Sequence, residues 1–339
     1  MGGFDLGRDA RALFDRPADN VFMVKVNYWL GLLAAASSSA PPGVLRLAGT
    51  DGTMDQDIID LYDEFTHGDM GRAGFLARLA GLVGGLPAAA AVLTRLEGDY
   101  GRPGVAASDP RIRVRYVTYE GASGPVRAYH ASPRREESLP AVVVIHENRG
   151  LNPHIEDVAR RTAAAGFWTI APDALSPLGG TPDDADEART LMGELDADTT
   201  RGDFLAGVEF AAHHEDTSGR IGCVGFCWGG AMANQLAVHS PTLAAAVAFY
   251  GRQPASEDVA TIRAPLLLHY AGLDKRINEG IASYREALDA AGKTYELHMY
   301  EGVNHAFHND TSPTRYDEAA ARVAWQRTIE FFREHLASG

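Results

Sequence analysis

Residues 221–232 read Ile-Gly-Cys-Val-Gly-Phe-Cys-Trp-Gly-Gly-Ala-Met, and the run Gly225-Phe226-Cys227-Trp228-Gly229-Gly230 at their centre decides the fold. The apolar stretch before this run predicts a buried strand, the stretch after it a helix, and the glycines a tight turn between them. A residue on such a turn stands out from the sheet, while side chains two positions to either side of it would collide with neighbouring backbone. The helix that follows aims the positive end of its dipole at Cys227, which favours a thiolate. Cys227 therefore sits where a G-x-S-x-G turn places a nucleophilic serine. A small buried cysteine beside a glycine-rich turn is the plainer alternative. The strand before the motif and the helix after it favour the nucleophile.

Working outward, eight strands are predicted: Ile112–Tyr119, Val126–Ala131, Ala141–His146, Phe167–Ala171, Arg220–Gly225, Ala244–Tyr250, Pro265–Ala271 and Tyr295–Tyr300. The middle ones, such as Ala141-Val-Val-Val-Ile145, are continuous apolar runs, as strands buried on both faces require. Helix-length segments lie between them, including Ile155–Ala165, Asp183–Leu195, Asp203–His214, Gly229–His239 and Ile281–Ala291. This alternation predicts an α/β fold, a mostly parallel eight-stranded sheet with helices on both faces. Such sheets bind ligands beyond the carboxyl ends of their strands.

Two candidate partners for Cys227 fall at those ends. Ala271-Gly272-Leu273-Asp274 follows the seventh strand, and Glu301-Gly302-Val303-Asn304-His305 follows the eighth. Nucleophile, acid, histidine is the chain order of the α/β-hydrolase fold. His305 would act on the sulfur, and Asp274 would orient the imidazole. Among other histidines, His269 and His298 lie within strands, and His213 and His214 lead into the wrong end of one. His308, three residues past His305, competes with it and is expected to line the mouth of the site. Glu147, in His146-Glu147-Asn148-Arg149, falls on the pocket floor after the third strand, where a charge needs a purpose. The N–H groups of Asn148 and Trp228 are the candidate oxyanion hole.

Together these motifs resemble the dienelactone hydrolases (carboxymethylenebutenolidase-like) over roughly residues 110 to 337. The resemblance rests on the Glu-containing loop, Gly-x-Cys-x-Gly-Gly, Gly-x-Asp and Asn-His-x-Phe. It implies a Cys227, Asp274 and His305 triad, with Glu147 as the family's pocket glutamate that helps activate the thiol. Family members acting on dienelactone hold its carboxylate with arginines, one of them four residues past the histidine. That position is Asn309 here, so Arg149 and Arg315 are the candidate substrate-binding residues.

The implied activity is hydrolysis of an activated ester, enol lactone or thioester through an acyl-thioenzyme. A thiolate is a better leaving group than an alkoxide, so amides suit it less. A thiol redox or sensor protein using Cys223 and Cys227, and a catalytically silent binding module, are the competing readings. The absence of C-x-x-C and the intact constellation weigh against them. No metal-type Cys/His cluster accompanies the cysteines, and no metal or organic cofactor is implied.

Upstream, residues 1–53 lack clean periodicity and read as a weakly ordered leader. Residues 54–110 read as a helical extension, and 111–337 as the hydrolase domain. In the extension, Ile58, Leu61, Tyr62 and Phe65 form one apolar stripe, and Phe75, Leu79, Leu82, Val83 and Leu86 another. These stripes need a surface to cover, either the hydrolase domain or a second copy in a homo-oligomer. The start of this lead, Met54-Asp-Gln-Asp-Ile-Ile-Asp-Leu-Tyr62, also resembles a subgroup of the family. That subgroup often carries paired arginines before an apolar helix; Gly71-Arg72-Ala73-Gly74-Phe75 lacks the pair.

Lys plus Arg is 31 and Asp plus Glu 45, giving a formal charge of −14. Such a surface repels phosphate backbones and argues against nucleic acid as a partner. Tyr28–Ala36 is too short to span a bilayer, and Phe75–Leu93 is interrupted by Arg78 and Pro87, so no membrane span is expected. Free thiols suit a reducing compartment, the cytoplasm, with export as the alternative.

Overall fold

The computed structural model describes residues 54–97, 100–101, 103–135 and 138–337. The expected leader over residues 1–53 lies outside the described residues. Three helices come first: α1 (Gln56–His67), α2 (Arg72–Val83) and α3 (Leu86–Leu96). Asp55 caps α1 by accepting the Asp57 N–H, and Gly84 ends α2 in the left-handed conformation. Helices α2 and α3 meet at a 110° bend, and no single helix among the described residues is long and apolar enough to cross a membrane. Ile58, Tyr62, Phe65, Phe75, Leu79, Val92 and Leu96 form a core of their own, with Phe65 stacked 4.5 Å from Phe75. The two apolar stripes thus largely cover each other, with Leu86 of the second left exposed. The sheet contributes no residue to this core, which corrects the expectation that the hydrolase domain covers the stripes.

The rest of the chain builds an eight-stranded sheet among the described residues. Its strands are β1 (Ile112–Gly121), β2 (Gly124–Pro133), β3 (Leu139–Ile145), β4 (Trp168–Pro172), β5 (Thr217–Phe226), β6 (Ala245–Phe249), β7 (Leu266–Ala271) and β8 (Tyr295–Tyr300). They stand in the order β1-β2-β4-β3-β5-β6-β7-β8. The β1–β2 hairpin is antiparallel, as is β2 against β4; every later pairing is parallel. Successive side chains of β3 alternate between two cores. Val143 and Ile145 pack with Phe204 and Leu236 on one face, and Val142 and Val144 with Val158 and Phe332 on the other. Covering helices are α4 (Pro153–Ala164), α5 (Ala185–Met192), α6 (Ala197–Ala212), α7 (Trp228–His239), α8 (Lys275–Asn278), α9 (Ile281–Ala290) and α10 (Glu318–His335). Helix α6 starts six residues before the expected Asp203, because Asp196 caps it.

The segment joining extension to sheet is itself anchored. The N–H groups of Gly104 and Val105 each donate to the buried Asp157 carboxylate at 2.8 Å, and Arg160 donates to the Val105 carbonyl. A chain beginning at Arg111 leaves Asp157 and Arg160 short of these partners. Hydrogen bonds to charged groups contribute roughly 1.5–3 kcal/mol each. Such a chain is therefore expected to melt roughly 10 °C below the full chain in a calorimetric scan; equal melting temperatures would refute this account of the linker.

Candidate active site

Strand β5 ends at Phe226 and α7 begins at Trp228, leaving Cys227 as the single residue of the turn, at φ 57° and ψ −112°. A side chain rarely adopts this region. The turn holds because the Cys227 N–H donates to the Phe249 carbonyl at 3.0 Å and the Cys227 carbonyl accepts the Ala231 N–H at 3.1 Å. The neighbouring glycines are steric necessities. A Cβ on Gly225 would lie 1.8 Å from the Gly229 carbonyl oxygen, and one on Gly229 would lie 2.4 Å from that of Ile145. Both cysteines are free. Cys227 keeps 7% of its surface exposed, whereas Cys223 keeps none and burial pushes its thiol up to about 12.

Beyond β7, Asp274 caps α8: Oδ1 accepts the Ile277 N–H at 3.1 Å, and Oδ2 accepts Nδ1–H of His305 at 2.5 Å. His305, in the loop after β8, is 2% exposed. Burial disfavours its charged form, but the Cys227 sulfur and the Asp274 carboxylate outweigh that and hold it up to about 10. Burial likewise acts to raise Asp274, and the His305 charge with its hydrogen bond leaves the carboxyl below its ordinary value. The structure thus joins His305 to Asp274 and brings a ring nitrogen of His305 within 4.8 Å of the Cys227 sulfur.

Glu147 lies at the end of β3, with Asn148 and Arg149 after it. Its Oε2 accepts from Asn309 Nδ2 at 2.7 Å, so Asn309, which stands in place of the expected arginine, holds the glutamate. The phenol of Tyr250 is pushed well above its ordinary value by burial, with Glu147 and Cys227 adding to the shift. Asn148 and Trp228 line the same open groove as Cys227, about 440 Å³ in volume. Arg149 donates to the Tyr62 hydroxyl at 2.7 Å, and Arg315 pairs with the Asp63 carboxylate at 3.1 Å. Both arginines line a small chamber of about 20 Å³ beside Cys227, which has room for about one water. Both are engaged by side chains of α1. His308 does not line the mouth as expected. It is buried behind the elbow, stacked at 4.9 Å on Phe226 and packed on Phe249 and Trp325, because an aromatic core takes the ring.

Sequence reasoning missed His67. The last residue of α1, it places Nε2 3.1 Å from the Cys227 sulfur, with its ring 4.6 Å from that of His305. Its Nδ1 lies 2.9 Å from the Asp63 carbonyl oxygen, which can only accept, so the ring proton sits on Nδ1 and Nε2 offers a lone pair. Burial keeps His67 well below its ordinary value, and the His305 charge adds to this. The ligand-type atoms of His67, Cys227 and His305 all lie within 4.8 Å of one another. Residues 160 positions apart conceal this cluster from any spacing argument. The thiol's hydrogen-bond partner is therefore a histidine of the extension, while the glutamate turns to Asn309.

Residues 126–336 match the model of the Dienelactone hydrolase family. A carboxymethylenebutenolidase-like protein from Escherichia coli O157:H7 is 37% identical over 224 residues, covering 61% of this chain and 82% of the relative. A Bradyrhizobium protein named "Probable 2-oxo-3-(5-oxofuran-2-ylidene)propanoate lactonase" is 34% identical over 232 residues, covering 64% of this chain and 92% of its own. A dienelactone hydrolase-like crystal structure from Klebsiella pneumoniae subsp. pneumoniae superposes with a TM-score of 0.60 at 29% identity, over 66% of this chain and 99% of that one. The family match begins in β2, so α1 and His67 lie outside it.

Proposed function

The chain belongs to the dienelactone hydrolase family and is a hydrolase; from that premise we propose that it cleaves activated esters, enol lactones or thioesters through an acyl-thioenzyme on Cys227. The observation that carries this reading is the convergence of Asp274 and His305 on a cysteine held in a strained strand-to-helix turn. The Cys227 thiolate attacks the carbonyl carbon, and the N–H groups of Trp228 and Asn148 take the developing oxyanion. His305 gives the Nε2 proton to the leaving oxygen as the acyl bond breaks. A water then loses its proton to Nε2, its oxygen adds to the thioester carbonyl, and the sulfur departs. Asp274 holds the ring in the required tautomer throughout. The test is p-nitrophenyl acetate hydrolysis before and after iodoacetamide. Loss of turnover with one label on Cys227 supports the mechanism, and full turnover by labelled protein overturns it.

The arginines bear on substrate charge. With Asp63 on Arg315 and Tyr62 on Arg149, both arginines are already engaged, which favours a neutral acyl group over a carboxylate at the site. Asp63→Ala frees the Arg315 guanidinium for one charge-assisted hydrogen bond of roughly 1.5–3 kcal/mol. We expect kcat/KM for a carboxylate-bearing lactone to rise about tenfold relative to a neutral aryl ester. An unchanged ratio would remove Arg315 from substrate recognition.

A further inference from the structure

We propose that His67, Cys227 and His305 form a binding site for one thiophilic divalent cation, with zinc the best fit. The donors are the first argument. His67 directs the lone pair of Nε2 at the sulfur from 3.1 Å, and His305 Nε2 is a buried nitrogen with no hydrogen-bond partner. These two nitrogens and the sulfur lie within 4.8 Å of one another. Zinc bond lengths of about 2.0–2.1 Å to nitrogen and about 2.3 Å to sulfur require tetrahedral ligand separations near 3.5 Å. The observed separations, 3.1 Å from His67 Nε2 to the sulfur and no more than 4.8 Å for any pair, span that value.

The second argument is what stands behind the ligands. Histidines that bind metals almost always donate their other ring N–H to a carboxylate or a backbone carbonyl, which fixes the free nitrogen on the ion. Both kinds are present: Asp274 Oδ2 holds Nδ1 of His305 at 2.5 Å, and the Asp63 carbonyl holds Nδ1 of His67 at 2.9 Å. Three protein ligands with an open fourth position make a zinc site that keeps a water. Two of the three ligands, His67 and Cys227, line the open groove together with Trp228 and Arg276. Hard cations such as magnesium and calcium need oxygen donors, so two imidazoles and a thiolate select against them. Arg276 near the groove and Arg315 near Asp63 oppose a purely electrostatic cation, which leaves the bond to sulfur as the source of affinity.

Binding balances as one cation in and one proton out. Cys227 binds as the thiolate, so its proton leaves as the ion enters. With its sulfur coordinated the thiolate cannot attack a carbonyl, so the site would switch hydrolysis off reversibly. The inference goes beyond the proposed hydrolysis, and its test does not depend on turnover.

The test titrates cobalt(II), a spectroscopic substitute for zinc, into chelator-treated full-length protein. It follows the sulfur-to-cobalt charge-transfer absorption and competition by zinc. We expect one ion per chain, a thiolate band that zinc abolishes, and one proton released per ion. Cys227→Ser should remove the band. Losing an outer-shell partner of a metal ligand costs about 10–100-fold in affinity, so losing a ligand in His67→Gln should weaken binding at least about 100-fold. His67→Asn serves as a second variant, and apo melting temperatures confirm that each variant is folded. Absence of a thiolate band in the wild type, or unchanged affinity in folded His67→Gln and His67→Asn, overturns the site. Iodoacetamide-sensitive esterase activity without a cobalt band refutes the metal site and leaves the hydrolase mechanism standing; a cobalt band without such activity does the reverse.

Discussion

Cys227→Ala is expected to lower the turnover of p-nitrophenyl acetate by at least about three orders of magnitude, while Cys223→Ala keeps most of the wild-type rate. The two thiols share a strand-to-turn segment but not an environment. Cys227 projects from the turn, 3.1 Å from His67 Nε2 and beside His305, and remains reachable. Cys223 is fully buried in β5, paired in register with Val143 and Ala246, and its thiol yields no appreciable thiolate at neutral pH. Iodoacetamide should therefore label Cys227 first, as peptide mapping would show. If Cys223→Ala abolished turnover and Cys227→Ala spared it, the nucleophile would be misassigned.

Gly225→Ala should be the most damaging added methyl among the described glycines. Its Cβ would meet the Gly229 carbonyl oxygen at 1.8 Å and the Gly230 nitrogen at 2.8 Å, both main-chain atoms that no rotamer change can move. Relief requires opening the turn between β5 and α7, which also carries the nucleophile. We expect either no soluble folded protein or a loss of more than about 4 kcal/mol in denaturant unfolding. Gly81→Ala is the matched control. Nothing lies within 4 Å of its added Cβ, and Gly81 is an exposed interior position of α2. There alanine should gain roughly 0.5–1 kcal/mol by its helix preference. Comparable losses at both positions would mean that the elbow is not a steric constraint.

What was legible in the sequence was whatever the sheet dictates. The central strands are apolar runs bounded by turn residues, and Cys227, Asp274 and His305 each follow a strand, so reading strand ends located all three. Glu147 and its two successors were placed by the same rule. The failures came from contacts between segments far apart in the chain. His308 is close to His305 in sequence but turns into an aromatic core on Phe226, and adjacency could not reveal which way the ring faced. Asn309 looked like a missing arginine, yet its amide holds Glu147. His67 gave no signal at all, since an imidazole at the end of an amphipathic helix looks like any solvated helix terminus. Helix α10 carries too broken an apolar pattern to stand out, although Phe332 is fully buried against the sheet.

The three leading helices keep an apolar core separate from the two cores of the sheet. Their attachments over the site are polar or charged: Gln56 to Asn304, Tyr62 to Arg149, Asp63 to Arg315, the Thr66 carbonyl to Asn148, and Arg189 over the Phe65 ring. A unit with its own core and a hydrophilic docking face is a cooperative block, able to separate from its neighbour without either one unfolding. Access of a bulky acyl group to the sulfur is then expected to follow the free energy of releasing these helices rather than the stability of the sheet.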